Sequence, residues 1–235
     1  MSSAWVLLHG TPLTPDLWSD VASILGRNAE VIAPTVTLDE GEQIDALAER
    51  LLRHVPDSGT VHLAGHSFGG QVALELALRA QERFSTLTLL CTRDTPFPDF
   101  HPVAEGLRRG DPIHVEGTLG RWFRADELAE DGPVVTYARD CLANVDRLAW
   151  ARSLDAIAAF DEASSMARLN LPVQLVAAEL DRVSTVEAMT DMARRIRQSR
   201  LTVLPEAAHM SIFLRPSLLA ETLAATSPAD CPPGR

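Results

Sequence analysis

The sequence predicts an α/β chain: a mainly parallel sheet of about six strands, flanked by helices and interrupted by a helical cap insertion. Three observations predict it. Short apolar runs alternate with helix-length amphipathic segments along most of the 235 residues. The runs are continuous rather than alternating, the pattern of strands buried on both faces of a parallel sheet. One run, Val61–Ala64, leads straight into Gly65-His66-Ser67-Phe68-Gly69-Gly70, the sharp strand-to-helix turn that lifts a serine hydroxyl into a pocket.

The elements follow in order. The first strand is Trp5–Leu8, and it ends at His9-Gly10-Thr11-Pro12. A helix fits Leu17–Leu25 and a second strand Glu30–Ala33. In Glu42–Arg53 the apolar residues Ile44, Leu47, Ala48, Leu51 and Leu52 form a one-sided helical stripe. The strand Val61–Ala64 is followed by a helix over Gly69–Arg79 and a strand over Thr86–Leu90. The interval that follows, 92–171, is too long for a loop in a compact domain. It holds helical segments at Ala125–Glu130, Val134–Asn144, Arg147–Ala158 and Phe160–Arg168, expected to form a cap that excludes water and shapes a substrate pocket. The alternation resumes with a strand at Val173–Ala177, a helix at Val186–Arg197, a strand at Leu201–Leu204 and a helix at Pro216–Ala225. The expected organisation is therefore a core of 1–91 and 172–226, a cap of 92–171, and a disordered Pro-rich tail of 227–235.

The turn at Ser67 implies a strained backbone, and the glycines at 65 and 69 leave room for strand and helix to approach. The helix amides that follow aim at the place where an oxyanion would form. Around such an elbow, one oxyanion N–H comes from the residue after the nucleophile and one from the loop after the early strand. Here those are Phe68 and Thr11, since Pro12 has no N–H. The Thr11–Pro12 bond is open to either isomer. A nucleophilic serine needs a base, and the base needs an orienting carboxylate. In the α/β-hydrolase fold, whose elbow this turn resembles, the chain order is Ser, acid, His. Of the seven histidines, His209 sits in the loop directly after the last apolar strand, where it can reach the C-terminal edge of the sheet. Asp181 is the expected acid, Asp94 its rival and Glu179 a third choice. Trp122, Phe123 and Trp150 are candidates to line the pocket. Arg93, Arg121 and Arg139 are candidates to bind a substrate carboxylate.

Through His9-Gly10, Gly65–Gly70, Asp181 and His209 the chain resembles the α/β-hydrolase superfamily over nearly its whole length. A looser match resembles the cap of 3-oxoadipate enol-lactonases. It runs through Gly120-Arg121-Trp122-Phe123, Tyr137-Ala138-Arg139 and Trp150-Ala151, then on to Ala156–Asp161. The chain opens almost at the oxyanion strand, without the two N-terminal strands those lactonases usually carry. In that it is similar to the compact plant esterase and hydroxynitrile lyase group. The cap resemblance implies a small anionic enol-lactone held by at least one of Arg93, Arg121 and Arg139.

The net charge of −11 argues against nucleic acid and anionic membrane surfaces as partners. It leaves room for an anionic substrate, because a few pocket arginines outweigh distant surface charge. No run approaches the roughly 20 apolar residues of a membrane span, and no signal-peptide pattern opens the chain. Cys91, Cys141 and Cys231 lack metal or disulfide spacing, which fits a reducing cytoplasm. No motif asks for a metal or an organic cofactor, and the oligomeric state is not set. The expected function is serine acyl transfer on a small ester or lactone, an enol-lactone among the candidates. A general carboxylesterase or methylesterase would use the same residues. A lyase or carbon–carbon bond enzyme would use the triad only as a base. A non-catalytic binding protein of this fold would usually lose part of it.

Overall fold

The structure, a computed structural model, describes residues 3–225, so the expected tail of 227–235 and Cys231 lie outside the described residues. Six strands form one sheet: β1 (Ser3–Leu8), β2 (Glu30–Ile32), β3 (Thr60–His66), β4 (Thr86–Leu90), β5 (Val173–Ala178) and β6 (Ser199–Leu204). Their order is β2-β1-β3-β4-β5-β6, and every neighbouring pair is parallel. The strands β4 and β5 are buried along their whole length, which explains their unbroken apolar composition. The edge strand β6 is half-exposed.

Three helices lie in the first half: α1 (Ser19–Leu25), α2 (Ile44–Leu52) and α3 (Phe68–Ala80). An insertion between β4 and β5 carries five more: α4 (His101–Arg109), α5 (Val115–Trp122), α6 (Ala125–Glu130), α7 (Pro133–Ala143) and α8 (Arg147–Ala159). The chain closes with α9 (Val186–Arg195) and α10 (Pro216–Ala224). Helix α1 packs on α10, α2 on α3, and α9 on β5 and β6. The buried stripe of α2 is Ile44, Leu47, Ala48 and Leu51.

The sequence expectation and the structure differ in three places. The helix expected over Leu17–Leu25 begins as a 3₁₀ turn, Pro15–Trp18, with Pro15 at its start and Leu17 N–H donating to the Thr14 carbonyl. The segment expected over Phe160–Arg168 is only a 3₁₀ turn at Ala163–Arg168. Helices α4 and α5 were not expected. Helix α4 takes Pro102 in its first turn and ends at Gly110 with φ +85°. Helix α5 contains Gly117 and Gly120, poor helix formers, and is held by burying Leu119 and Trp122.

The topology places the site. The chain leaves β1 for β2 on one side and returns to β3 on the other. A ligand crevice opens where strand order reverses in this way, outside the carboxyl ends of the two strands. Leu8 pairs with Gly65 and Gly65 with Leu89, so β1, β3 and β4 end level with one another.

Candidate active site

Strand β3 ends at His66 and helix α3 starts at Phe68, so Ser67 alone makes the turn, with φ +54° and ψ −121°. This is backbone space that a residue with a Cβ avoids unless its surroundings enforce it. They do so here by hydrogen bonds. The Ser67 amide donates to the Leu90 carbonyl at 2.9 Å. Its carbonyl accepts from the Gly70 amide at 2.9 Å and from Thr92 Oγ1 at 2.7 Å. A Cβ at Gly65 would run into the Gly69 carbonyl, and one at Gly69 into the Leu8 carbonyl. Only glycine lets the strand and helix come this close.

His209 sits between β6 and the 3₁₀ turn Ser211–Leu214. Its Nδ1 donates to Asp181 Oδ2 at 2.7 Å, with both side chains buried. The other oxygen, Asp181 Oδ1, accepts from the amides of Val183 at 2.6 Å and Ser184 at 3.0 Å. Burial opposes ionisation of Asp181, but the imidazole and the two amides outweigh it and hold the carboxyl below its usual range. An ionised Asp181 fixes the proton of His209 on Nδ1 and leaves Nε2 free to act as a base. The loops that carry Asp181 and His209 are also tied directly, Leu180 N–H donating to the Ala207 carbonyl at 2.8 Å.

His66 backs His209. Its Nε2 donates to the His209 carbonyl at 3.1 Å, and the two rings lie 4.8 Å apart. Complete burial, reinforced by His209, pushes the His66 imidazole down to about 3, so it stays neutral. His9 plays the matching part at the end of β1. Its Nε2 accepts from the Val36 amide at 2.9 Å, so its Nδ1 donates to the Gly10 carbonyl at 2.8 Å. Burial pushes His9 to about 4, the neutral state that this pairing requires. The Thr11–Pro12 bond that follows is cis.

A cavity of about 280 Å³ holds Ser67 and His209 together with Gly10 and Thr11. Its wall is mostly apolar: Phe97, Trp122, Trp150, Leu154, Ile157 and Met210. Arg121 and Arg182 supply positive charge to its lining and Asp99 a carboxylate. Phe68 opens α3 beside Ser67, which places its N–H at the positive end of a 13-residue helix.

The other expected residues fall elsewhere. Phe123 is buried in the core instead of lining the cavity, because α5 ends at Trp122 and the chain turns there. Arg93 lies over the Phe97 ring at 4.4 Å and donates to the Thr95 carbonyl at 3.1 Å, so it is outside the lining. Arg139 is also outside it, paired on the insertion's surface with Glu116 and Asp131. Asp94 binds Arg195 Nη1 through both oxygens, at 2.9 and 3.1 Å, and Glu179 accepts from the Glu206 amide at 2.8 Å. Neither touches His209. Arg182 went unnoticed in the sequence although it follows Asp181 directly.

Among the described residues, His66, Cys91 and His209 have ligand atoms within 4.8 Å of one another, close enough to hold a metal. Their chemistry fits one poorly. Burial and the Asp181 charge keep Cys91 a protonated thiol, and Asp181 already occupies Nδ1 of His209.

Comparison with known proteins comes to the same fold. A family model described as "Alpha/beta hydrolase family" matches residues 5–222. A pimeloyl-[acyl-carrier protein] methyl ester esterase from Aromatoleum aromaticum is 27% identical over 233 residues, which cover 90% of this chain and 92% of that protein. The structure of an enol-lactonase from Burkholderia xenovorans LB400 superposes with a TM-score of 0.87 at 21% identity, over 95% of this chain and 90% of the other. A thermophilic esterase from Thermogutta terrifontis superposes with a TM-score of 0.84 at 24% identity, over 95% and 89%.

Proposed function

This chain belongs to the alpha/beta hydrolase family, and on that premise we propose that it hydrolyses small carboxylic esters or lactones through an acyl-enzyme on Ser67. The observation that carries the reading is the strained Ser67 sharing one small cavity with a buried His209 whose Nδ1 is held by Asp181. His209 Nε2 takes the proton of Ser67 Oγ as that oxygen attacks the carbonyl carbon. The amides of Thr11 and Phe68 receive the negative charge on the carbonyl oxygen. Asp181 stabilises the imidazolium. The tetrahedral centre collapses, the C–O bond to the alcohol breaks, and His209 returns its proton to the leaving oxygen. His209 then deprotonates a water, which attacks the acyl carbon. The bond to Ser67 Oγ breaks, His209 returns the proton to that oxygen, and the acid is freed. With a lactone the leaving oxygen stays tethered to the acyl group. The relatives are named as a methyl ester esterase and, at fold level, an enol-lactonase and an esterase, which supports this bond class.

The cavity volume limits the substrate to a small molecule. The position of Arg121 favours an acidic one. Its Nη2 donates to a hydroxyl, Thr118 Oγ1 at 2.9 Å, which leaves the rest of its fork for a ligand.

The experiment is a pair of variants assayed on 4-nitrophenyl acetate and on a half-ester acid with its methyl diester. Ser67→Ala is expected to lose about 10⁴-fold or more in kcat. Near-normal rates would end the acyl-enzyme reading. Arg121→Ala is expected to raise KM about 10-fold or more for the acidic ester and leave the diester nearly unchanged. Equal effects on both would leave a neutral ester as the substrate.

A further inference from the structure

The loop that carries the base is fastened to the insertion at three points, the first of them Arg124 Nη1, which donates to the Glu206 carbonyl at 3.0 Å. Met210 N–H, next to His209, donates to the Trp122 carbonyl at 2.8 Å. Ser211 Oγ donates to Glu127 Oε2 at 2.7 Å and accepts from the Ala208 amide at 2.8 Å. Glu127 is fixed in turn, since the same oxygen accepts the Arg124 amide at 2.8 Å at the start of α6. So Glu206 before His209, and Met210 and Ser211 after it, are bonded to one short stretch of chain, Trp122 to Glu127. His66 holds the His209 carbonyl from the sheet side. The side chain of His209 is set by Asp181, and its backbone is held from the core by His66 and from the insertion through Met210 and Ser211.

We propose that Glu127 is a positioning residue for catalysis. By holding Ser211 it sets the distance of His209 Nε2 from Ser67, so that the insertion completes the catalytic site as well as covering it. Ser211 is the relay: its hydroxyl oxygen takes the Ala208 amide while its proton goes to Glu127, so losing Glu127 frees that hydroxyl to turn. The fastening also reaches the substrate. Trp122 holds the base loop with its carbonyl and lines the cavity with its indole. A ligand that fills the cavity bears on the residue that holds the base loop.

This inference rests on the reading of Ser67 and His209 as nucleophile and base, and the test separates the two. Wild type, Glu127→Ala, Glu127→Gln and Ser211→Ala are compared on 4-nitrophenyl acetate, with labelling by a fluorophosphonate that reacts with an activated serine. A wild type that neither turns over nor labels would fail the acyl-enzyme reading itself. With an active wild type, Glu127→Ala and Ser211→Ala are each expected to lower kcat and the labelling rate about 10- to 100-fold with KM within about 3-fold. The double variant is expected to be no worse than either single one. Glu127→Gln keeps a carbonyl oxygen that can accept both bonds and is expected to recover most of the rate. Folding is checked by thermal unfolding, and the Ser211→Ala arm stands if Glu127→Ala does not fold. A fall in Tm with kcat unchanged would overturn the proposal, as would a loss that Glu127→Gln does not recover.

Discussion

Two aspartates follow adjacent strands, and only one of them bonds to His209. Asp181 gives one oxygen to His209 and the other to two amides, so each lone pair that matters is used. Asp94 gives both oxygens to Arg195. Asp181→Asn would set an amide donor or a weaker acceptor against Nδ1 and disturb the tautomer, so kcat is expected to fall about 10³- to 10⁴-fold. Asp94→Asn is expected to cost less than about 10-fold in kcat and to lower Tm, because it leaves the half-buried Arg195 guanidinium without its counter-charge. Steady-state kinetics and thermal unfolding on the two variants check both; the reverse ranking in kcat would move the acid to the β4 loop. Ser67 and His209 could be singled out as candidates in the sequence because each is marked by its immediate neighbours, an elbow in one case and the end of the last strand in the other, and the fold brings the two into one cavity. The choice among Asp181, Asp94 and Glu179 was not closed there. All three follow strands, and only the folded loops decide which carboxylate turns toward the base. Phe123, Arg93 and Arg139 were expected at the pocket and lie outside its lining for the same reason. The direction of a side chain at a helix end or in a loop is a tertiary fact.

Among the elements, the six strands could be read because burial on both faces writes an unbroken apolar run. Their ends could not be read to the residue; β3 runs two residues past Ala64, to His66. The insertion was the least legible part. Its α4 and α5 carry proline and glycine and are stable only where they pack, α4 against α8 and α5 against α7. One contact there reaches the chemistry. The hydroxyl of Tyr137 on α7 accepts the Thr14 amide at 2.8 Å and donates to the Thr14 carbonyl at 3.1 Å. Thr14 closes the segment that begins at Gly10 and Thr11, where Leu13 N–H donates to the Gly10 carbonyl at 3.1 Å. Tyr137→Phe removes that one hydroxyl and keeps the ring. It is expected to lower kcat about 3- to 10-fold with KM nearly constant, as the Thr11 amide drifts from the place of the oxyanion. A change confined to Tm would show that α7 merely braces the loop.

At the scale of the whole molecule, the design of the site sets how the fold responds to acid. His9 and His66 are both used as neutral hydrogen-bonding groups in a dry interior, which lowers them from 6.5 to about 4 and about 3. Once pH falls below about 6.5 the unfolded chain takes up a proton at each of these residues and the folded chain does not. Stability must then fall with pH, by about 1.4 kcal/mol per pH unit for each histidine, down to about pH 4 for His9 and about pH 3 for His66. His62, lowered by its own partial burial, adds in the same direction. Asp181 adds a later loss: its folded carboxyl lies below the ordinary value, so its contribution is present above about pH 3.9 and disappears as pH falls through the folded value. Two effects run the other way. Burial raises the folded Asp94 carboxyl above its ordinary value, so that group favours the folded state as pH falls toward its own range. The net charge of −11 shrinks as carboxylates protonate, which relieves repulsion in the folded state. That term is spread over the surface and screened beyond about 8 Å at physiological salt, whereas the histidine term acts in the interior. The histidines are therefore expected to win between pH 6.5 and 5. Urea unfolding across that range is expected to show a nearly level midpoint above pH 7, then a decline that corresponds to uptake of about two protons per molecule on unfolding. His9→Asn and His66→Asn, each keeping a polar side chain, are each expected to reduce that uptake by about one proton while lowering stability at pH 7.5. A midpoint that stayed level down to pH 5 would mean that both imidazoles protonate within the fold. The Val36–His9 pairing, which needs a lone pair on Nε2, would then not hold.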